Sequence, residues 1–115
     1  MKIIATGGAG FVGANLCKYL AAKGHEVIAV DNLVRRGSEM NLPGFKKIGI
    51  RFVHGDIRNR EDLVTLPRDV DFLCECSAQP SAIDGYKNPA FDISNNTMGL
   101  LNCLEWCREN GAGLI

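Results

Sequence analysis

Three glycines at even spacing, Gly7, Gly10 and Gly13, punctuate Thr6-Gly7-Gly8-Ala9-Gly10-Phe11-Val12-Gly13. The segment follows a short apolar run and leads into an amphipathic one, the setting of a phosphate-binding turn between a strand and a helix. Each glycine has its own work there. Gly7 permits the tight turn leaving the strand, Gly10 lets a pyrophosphate approach the backbone, and Gly13 lets the helix pack closely on the sheet. The N–H groups of Phe11 and Val12 then point toward a bound phosphate at the positive end of the helix dipole. Asp31 ends the next apolar run. An acidic side chain there accepts hydrogen bonds from a ribose diol and repels a 2′-phosphate. The pattern predicts a dinucleotide site that prefers NAD to NADP. Arg35 and Arg36 temper the preference, because an arginine near this point accommodates a 2′-phosphate; a plain solvated loop is an equal reading of the pair.

The elements that must position these groups follow from hydropathy. Residues 2–6, 26–30, 50–54 and 69–76 are short apolar runs and read as strands, and 114–115 opens a fifth. Residues 11–23 read as a helix packed through Val12, Leu16, Tyr19 and Leu20, with Gly24 at its C-cap. Residues 32–48 read as irregular, with Ser38 capping one short turn before Pro43 and Gly44 stop it. A short helix is expected over 59–66, capped by Asn59, with Glu61 and Asp62 in its first turn. A longer one over 89–109 can gather Ile93, Met98, Leu101, Leu104 and Cys107 on one face. Strands that are near-continuously apolar and alternate with helices predict an α/β doubly wound parallel sheet, the Rossmann arrangement. The first three strands would form one half, with the fourth beside the first.

Composition narrows the function classes. With 115 residues the chain supports one domain, and 13 basic against 13 acidic side chains leave no net charge. No basic stripe argues for a nucleic-acid partner or an anionic membrane surface. No run approaches the roughly 20 apolar residues of a transmembrane span. Without a secretory signal, the five cysteines read as reduced thiols in a cytoplasmic protein. Cys74 and Cys76 alternate along a strand rather than sitting at turn spacing, so buried core cysteine is favoured over a zinc site shared with Cys103 and Cys107, and no metal is expected. His25 and His54 are isolated.

Beyond these readings, the chain resembles the extended short-chain dehydrogenase/reductase family, specifically its NAD-dependent nucleotide-sugar epimerases and dehydratases. The resemblance is carried by the glycine segment, by Asp31-Asn32-Leu33 with Arg35-Arg36-Gly37, by His54-Gly55-Asp56-Ile57-Arg58, by Ser77-Ala78-Gln79-Pro80-Ser81, and by the stretch from Asn96 to Glu105. It extends over essentially the whole chain, and the branch it reads most like is that of the CDP-paratose (CDP-tyvelose) 2-epimerases. The resemblance implies that Asp56 hydrogen-bonds the adenine amino group with Ile57 beside the ring. It also implies that Ser77, Ala78 and Gln79 line the nicotinamide-ribose side, and that Asn96 positions the cofactor or its own helix. The expected cofactor set is thus Gly7, Gly10, Phe11, Val12, Asp31, Asn32, Arg35, Asp56, Ile57, Ser77, Ala78, Gln79 and Asn96. Two positions depart from the family pattern: Leu100 stands where a threonine follows glycine, and Cys74-Glu75-Cys76-Ser77-Ala78 stands where His-x-Ala-Ala is frequent.

In this family a Tyr-x-x-x-Lys pair, helped by a serine or threonine, carries the proton chemistry. The one match here, Tyr19 to Lys23, falls on the helix after the phosphate turn and reads as packing; Tyr86 lacks a lysine partner. No catalytic residue is therefore expected within 1–115. The chain reads as the amino-terminal part of a dinucleotide-binding domain, truncated at about the start of its fifth strand and inactive alone. An uncovered apolar edge and face are expected, hence self-association, and the whole protein is expected to be a homo-oligomer acting on a nucleotide sugar. Alternatives from the same residues are a nucleotide-sugar 4-epimerase, a 4,6-dehydratase, or a non-catalytic NAD-binding protein.

Overall fold

The runs Ile3-Ile4-Ala5 and Val27-Ile28-Ala29-Val30 are buried along their whole length, as strands covered on both faces must be. They are the core of β1 (Lys2–Thr6) and β2 (Glu26–Asp31), the central strands of a five-stranded parallel sheet in a computed structural model that describes residues 1–115. Beside β2 lies β3 (Arg51–His54); beside β1 lies β4 (Phe72–Glu75), followed by the two-residue β5 (Gly113–Leu114). The order β3-β2-β1-β4-β5 is the doubly wound order expected from the sequence. Ile4 pairs with Ile28 on one side and with Leu73 on the other.

Alternate side chains feed two cores. Ile4, Ile28, Val30 and Leu73 point to the face covered by α3 (Arg60–Val64) and α6 (Leu100–Asn110), where they meet Leu63, Cys103 and Trp106. Ile3, Ala5, Val27, Ala29 and Cys74 point to the other face, covered by α1 (Phe11–Ala22) and α2 (Leu42–Lys47). The remaining helical turns, α4 (Ala82–Lys87) and α5 (Pro89–Asp92), follow β4, and a π-helical stretch, Ile93–Gly99, joins α5 to α6.

Several expectations are corrected. Helix α1 packs through Gly13, Ala14 and Cys17, with Leu16 and Leu20 partly buried, while Val12 and Tyr19 are exposed. Small residues face the sheet because the helix lies too close for larger ones. Pro43 does not stop a turn but sits in the first turn of α2, where a missing N–H costs nothing. Ser38 begins a 3-10 turn without a side-chain cap, and Phe45 of α2 is one of the most deeply buried side chains. Asn59 sits at the N-cap of α3 but makes no cap bond; its amide donates instead to Asp62 at 2.8 Å.

The long helical segment is rotated from its expected face. Asn95, Gly99, Cys103, Trp106 and Cys107 point inward, whereas Ile93, Met98, Leu101 and Leu104 are exposed. A Cβ on Gly99 would lie 2.4 Å from the Ile57 side chain, so this face was selected by how closely the helix approaches, not by hydrophobicity. The fourth strand is shorter than 69–76: Asp71 instead accepts from the Lys2 N–H at 2.7 Å and Asp69 pairs with the Lys2 ammonium at 3.0 Å. No helix is long and apolar enough to cross a membrane.

Candidate functional site

Where β1 and β4 separate, their crossovers leave the sheet in opposite directions and open a cleft at the strands' carboxyl ends, the usual ligand position in such sheets. The cleft encloses about 620 Å³, mouth included. Of the expected set, Gly7, Gly10, Asp31, Asn32, Arg35, Ile57, Ser77, Ala78 and Gln79 line it.

The glycine turn is held by its own backbone. Gly10 N–H donates to Gly7 C=O at 3.0 Å, and Gly8 N–H reaches across to Val30 C=O at 3.0 Å. Gly7 has φ +61°, and a Cβ there would lie 2.3 Å from the Cys76 carbonyl oxygen. A Cβ on Gly13 would lie 2.1 Å from the Gly7 carbonyl oxygen, so the helix packs on the turn itself as well as on the sheet. Gly8, which sequence reasoning passed over, is equally confined, its Cβ position lying 2.8 Å from that of Ala29. Gly10 is different: its nearest neighbour would be Gly7 C=O at 3.2 Å, so its smallness serves the space in front of it more than the packing behind.

That space is suited to an anion. The N–H groups of Phe11, Val12 and Gly13 find no acceptor within the chain, and the first turn of α1 carries neither a capping side chain nor an acidic residue. The side chains of Phe11 and Val12 point away into solvent and do not line the cleft, so only their backbone can serve it.

Asp31, at the carboxyl end of β2, has each carboxylate oxygen engaged. Oδ2 accepts from Ala9 N–H at 3.0 Å and Oδ1 from Leu33 N–H at 2.8 Å, the latter supporting a left-handed Leu33 at φ +55°. One aspartate thereby ties the glycine turn to the loop after β2. Arg35 lines the cleft beside Asp31, with Val34 and the buried Ser38.

Asp56 and Asn96 stand behind the lining rather than in it. Asp56 accepts from Asn32 Nδ2 at 3.0 Å and from Arg58 Nη2 at 2.6 Å, and the Arg58 guanidinium holds its carboxyl down to about 2. Asn96 Oδ1 accepts from Gln79 N–H at 2.7 Å while its Nδ2 donates to Gln79 C=O at 3.1 Å, so it braces the wall from its helix.

Sequence reasoning missed three contributors. Buried Asn95 donates to Ser77 C=O at 2.7 Å, and Phe91 supplies an aromatic wall; neither carried a signal in the sequence. Glu75 is the third. Its Oε1 accepts from Ser77 N–H at 2.7 Å, from the Ser77 hydroxyl, and from Thr6 Oγ1 at 3.4 Å. Here a signal existed: a carboxylate in an otherwise apolar strand needs donors, and the next residues supply them.

The chemistry-bearing remainder is sparse. Tyr19 is exposed on α1 with the Lys23 ammonium over its ring, on a helix flank away from the cleft lining. Burial pushes the Cys17 and Cys103 thiols up to about 12 and raises Cys74, Cys76 and Cys107, which suits packing rather than nucleophilic roles. No three or more His, Cys, Asp or Glu side chains gather as metal ligands.

Comparison with known proteins agrees with this geometry. The model of the NAD dependent epimerase/dehydratase family matches residues 3–115. The CDP-paratose 2-epimerase of Salmonella typhi is 39% identical over 95% of this chain and 33% of its own length. Among solved structures, the UDP-glucose 4-epimerase of Thermus thermophilus in complex with NAD superposes with a TM-score of 0.86 at 34% identity, over 97% of this chain and 35% of that one. DesIV, a dTDP-glucose 4,6-dehydratase from Streptomyces venezuelae with NAD bound, superposes with a TM-score of 0.88 at 29% identity, over 97% and 37%. The chain therefore spans about a third of the length of each of these three relatives. On its motifs, its strand order and a family match over nearly its whole length, the chain belongs to the NAD dependent epimerase/dehydratase family.

Proposed function

We propose that this chain forms the NAD-binding part of a nucleotide-sugar epimerase resembling the CDP-paratose 2-epimerases. One observation carries the cofactor placement: the N–H groups of Phe11, Val12 and Gly13 have no acceptor in the chain and follow directly on Gly10, which lines the same cleft as Asp31. Those N–H groups would hold the pyrophosphate, and Gly10 leaves it room. Asp31 keeps unused lone pairs on both oxygens with which to accept from the adenosine ribose. Asn32 and Ile57 would border the adenine, with Asp56 behind them, while Arg35 would lie at the ribose edge. Ser77, Ala78 and Gln79, braced by Asn96, would border the nicotinamide ribose.

When bound, NAD supplies a reversible hydride acceptor. The chain's own contribution is to fix where that acceptor lies and to keep the wall after β4 from moving. The proton chemistry, the sugar contacts and homo-oligomer formation are assigned to the whole protein, whose catalytic trio would read Ser/Thr with Tyr-x-x-x-Lys. Residues 1–115 alone would turn over no sugar.

Titration of the whole protein with NAD and NADP tests the cofactor reading. NAD should bind more tightly, and Asp31→Ala should erode the difference; equal binding of both before and after the substitution would overturn it. Incubation with CDP-paratose, UDP-glucose and dTDP-glucose then separates the activities. Epimerisation at C2 of the CDP-sugar supports the proposal. Conversion of UDP-glucose to its 4-epimer, or loss of water from dTDP-glucose, would move the assignment to the activity named for one of the structural neighbours.

A further inference from the structure

One cation joins the loop after β3 to the aromatic wall of the cleft and is not among the residues expected to bind the cofactor. Arg58 follows β3, and its guanidinium lies 4.9 Å from the centre of the Phe91 ring on α5, the far wall of the cleft. The same guanidinium forks onto Asp56, with Nε at 2.9 Å from Oδ1 and Nη2 at 2.6 Å from Oδ2, while the Arg58 N–H also donates to Oδ1 at 2.9 Å. Asn32 completes the carboxylate from the loop after β2. The main chain is pinned independently: Asn102 on α6 donates to Ile57 C=O at 2.9 Å and to Arg58 C=O at 3.2 Å. The side chain of Arg58 is therefore the variable part of a loop whose backbone is already fixed.

We propose that Arg58 is a positioning residue of the cofactor cleft, holding the Asp56 carboxylate and the Phe91 ring together through one guanidinium. The inference rests on the NAD reading above and deepens it toward the adenosine end. A planar guanidinium can bind a carboxylate edge-on and stack on an aromatic face at once; an ammonium cannot do both. The pair neutralises Asp56 before any ligand arrives, so the loop meets an uncharged base as a neutral and preorganised wall. The carboxylate stays ionised well into acid, which keeps the fork closed through the neutral range.

The experiment is calorimetric titration of the whole protein with NAD and, separately, with ADP-ribose, which shares the adenosine end but lacks nicotinamide. Arg58→Met and Arg58→Lys should each weaken both ligands by about tenfold, the scale of one lost charge-assisted hydrogen bond. Equal loss for the two ligands places the effect at the adenosine end. Phe91→Leu should weaken binding on its own, and the double variant with Arg58→Met should lose less than the sum of the two single losses. A merely structural arginine would lower the unfolding temperature of the unliganded protein and leave the affinity of the folded fraction unchanged. Wild-type binding of NAD, with folded Arg58 variants matching it within about twofold, overturns this inference alone. Failure of the wild type to bind NAD overturns both this inference and the cofactor reading.

Discussion

The turn after β1 and the segment after β4 line one cleft and are built on opposite plans. The turn is mainly a backbone device: Gly7, Gly8 and Gly13 have no room for a Cβ, its internal hydrogen bonds join main-chain groups, and only Asp31 and Asn41 reach it by side chain, both at Ala9. The segment after β4 is a side-chain device. Glu75 and Asn95 hold Ser77, Asn96 holds Gln79 at both main-chain atoms, and the Gln79 amide bridges Asp92 at 2.8 Å and Ser81 C=O at 2.9 Å. The first plan is all-or-none, because a steric conflict with main chain cannot be relieved by a rotamer. The second is graded, because each polar side chain carries only its own hydrogen bonds.

Substitutions at the two walls test that contrast. The largest effect is expected for Gly7→Ala, which adds a left-handed backbone penalty to a clash with Cys76 main chain. It should cost about 3–5 kcal/mol in chemical denaturation and abolish NAD binding. Gly24→Ala is the internal control. That residue has φ +83° but nothing within 4 Å of its Cβ position, so only the backbone term of about 1 kcal/mol should remain. If the two alanine variants lose similar stability, the backbone-device reading of the turn is wrong.

Across the cleft the losses should be smaller and stepped. Glu75→Ala strips the acceptor from Ser77 N–H, the Ser77 hydroxyl and Thr6, and should cost about 2 kcal/mol, with Glu75→Gln recovering most of it. Asn96→Ala should cost about 1 kcal/mol. Its clearest sign should be faster hydrogen exchange at the Gln79 amide, with the turn after β1 unaffected. An all-or-none collapse in either variant would erase the distinction between the walls.

A pH dependence at Asp56 is the last test, read as a slope rather than as a single loss. Its carboxyl titrates near 2 in the fold against an ordinary value of 3.8, chiefly because Arg58 donates to it. A depressed carboxyl stabilises the fold above its unfolded value and loses that contribution as pH falls through the folded one. Stability should therefore decline between pH about 4 and about 2, and Asp56→Asn should flatten that part of the profile.

Legibility in the sequence followed the same division. Glycine spacing, the apolar runs and Asp31 were readable because each answers to a local requirement: a turn without a side chain, a strand covered on both faces, an acid at a strand end. The glycine wall of the cleft and the order of the sheet came from those features. The helix faces did not. Counting apolar residues put Met98, Leu101 and Leu104 inward, yet Gly99, Cys103 and Trp106 occupy that side. Periodicity gives a stripe but not its partner, and two stripes on one helix differ only in how near the sheet allows the helix to come. The helix over Leu42–Lys47 was lost for a related reason, since Pro43 reads as a breaker until its place in the first turn is known.

By itself, then, the amino-acid sequence determined the alternation of strands and helices, the phosphate turn and the acid that ends β2, because backbone conformation and hydrophobic runs are decided by neighbours in the chain. Only the tertiary structure decided that Asn95 holds Ser77, that Asn96 braces Gln79, and that Arg58 reaches Phe91. Each of those contacts brings together separate elements. A hydrogen bond or a stacked pair carries no mark in the sequence of which distant partner will complete it.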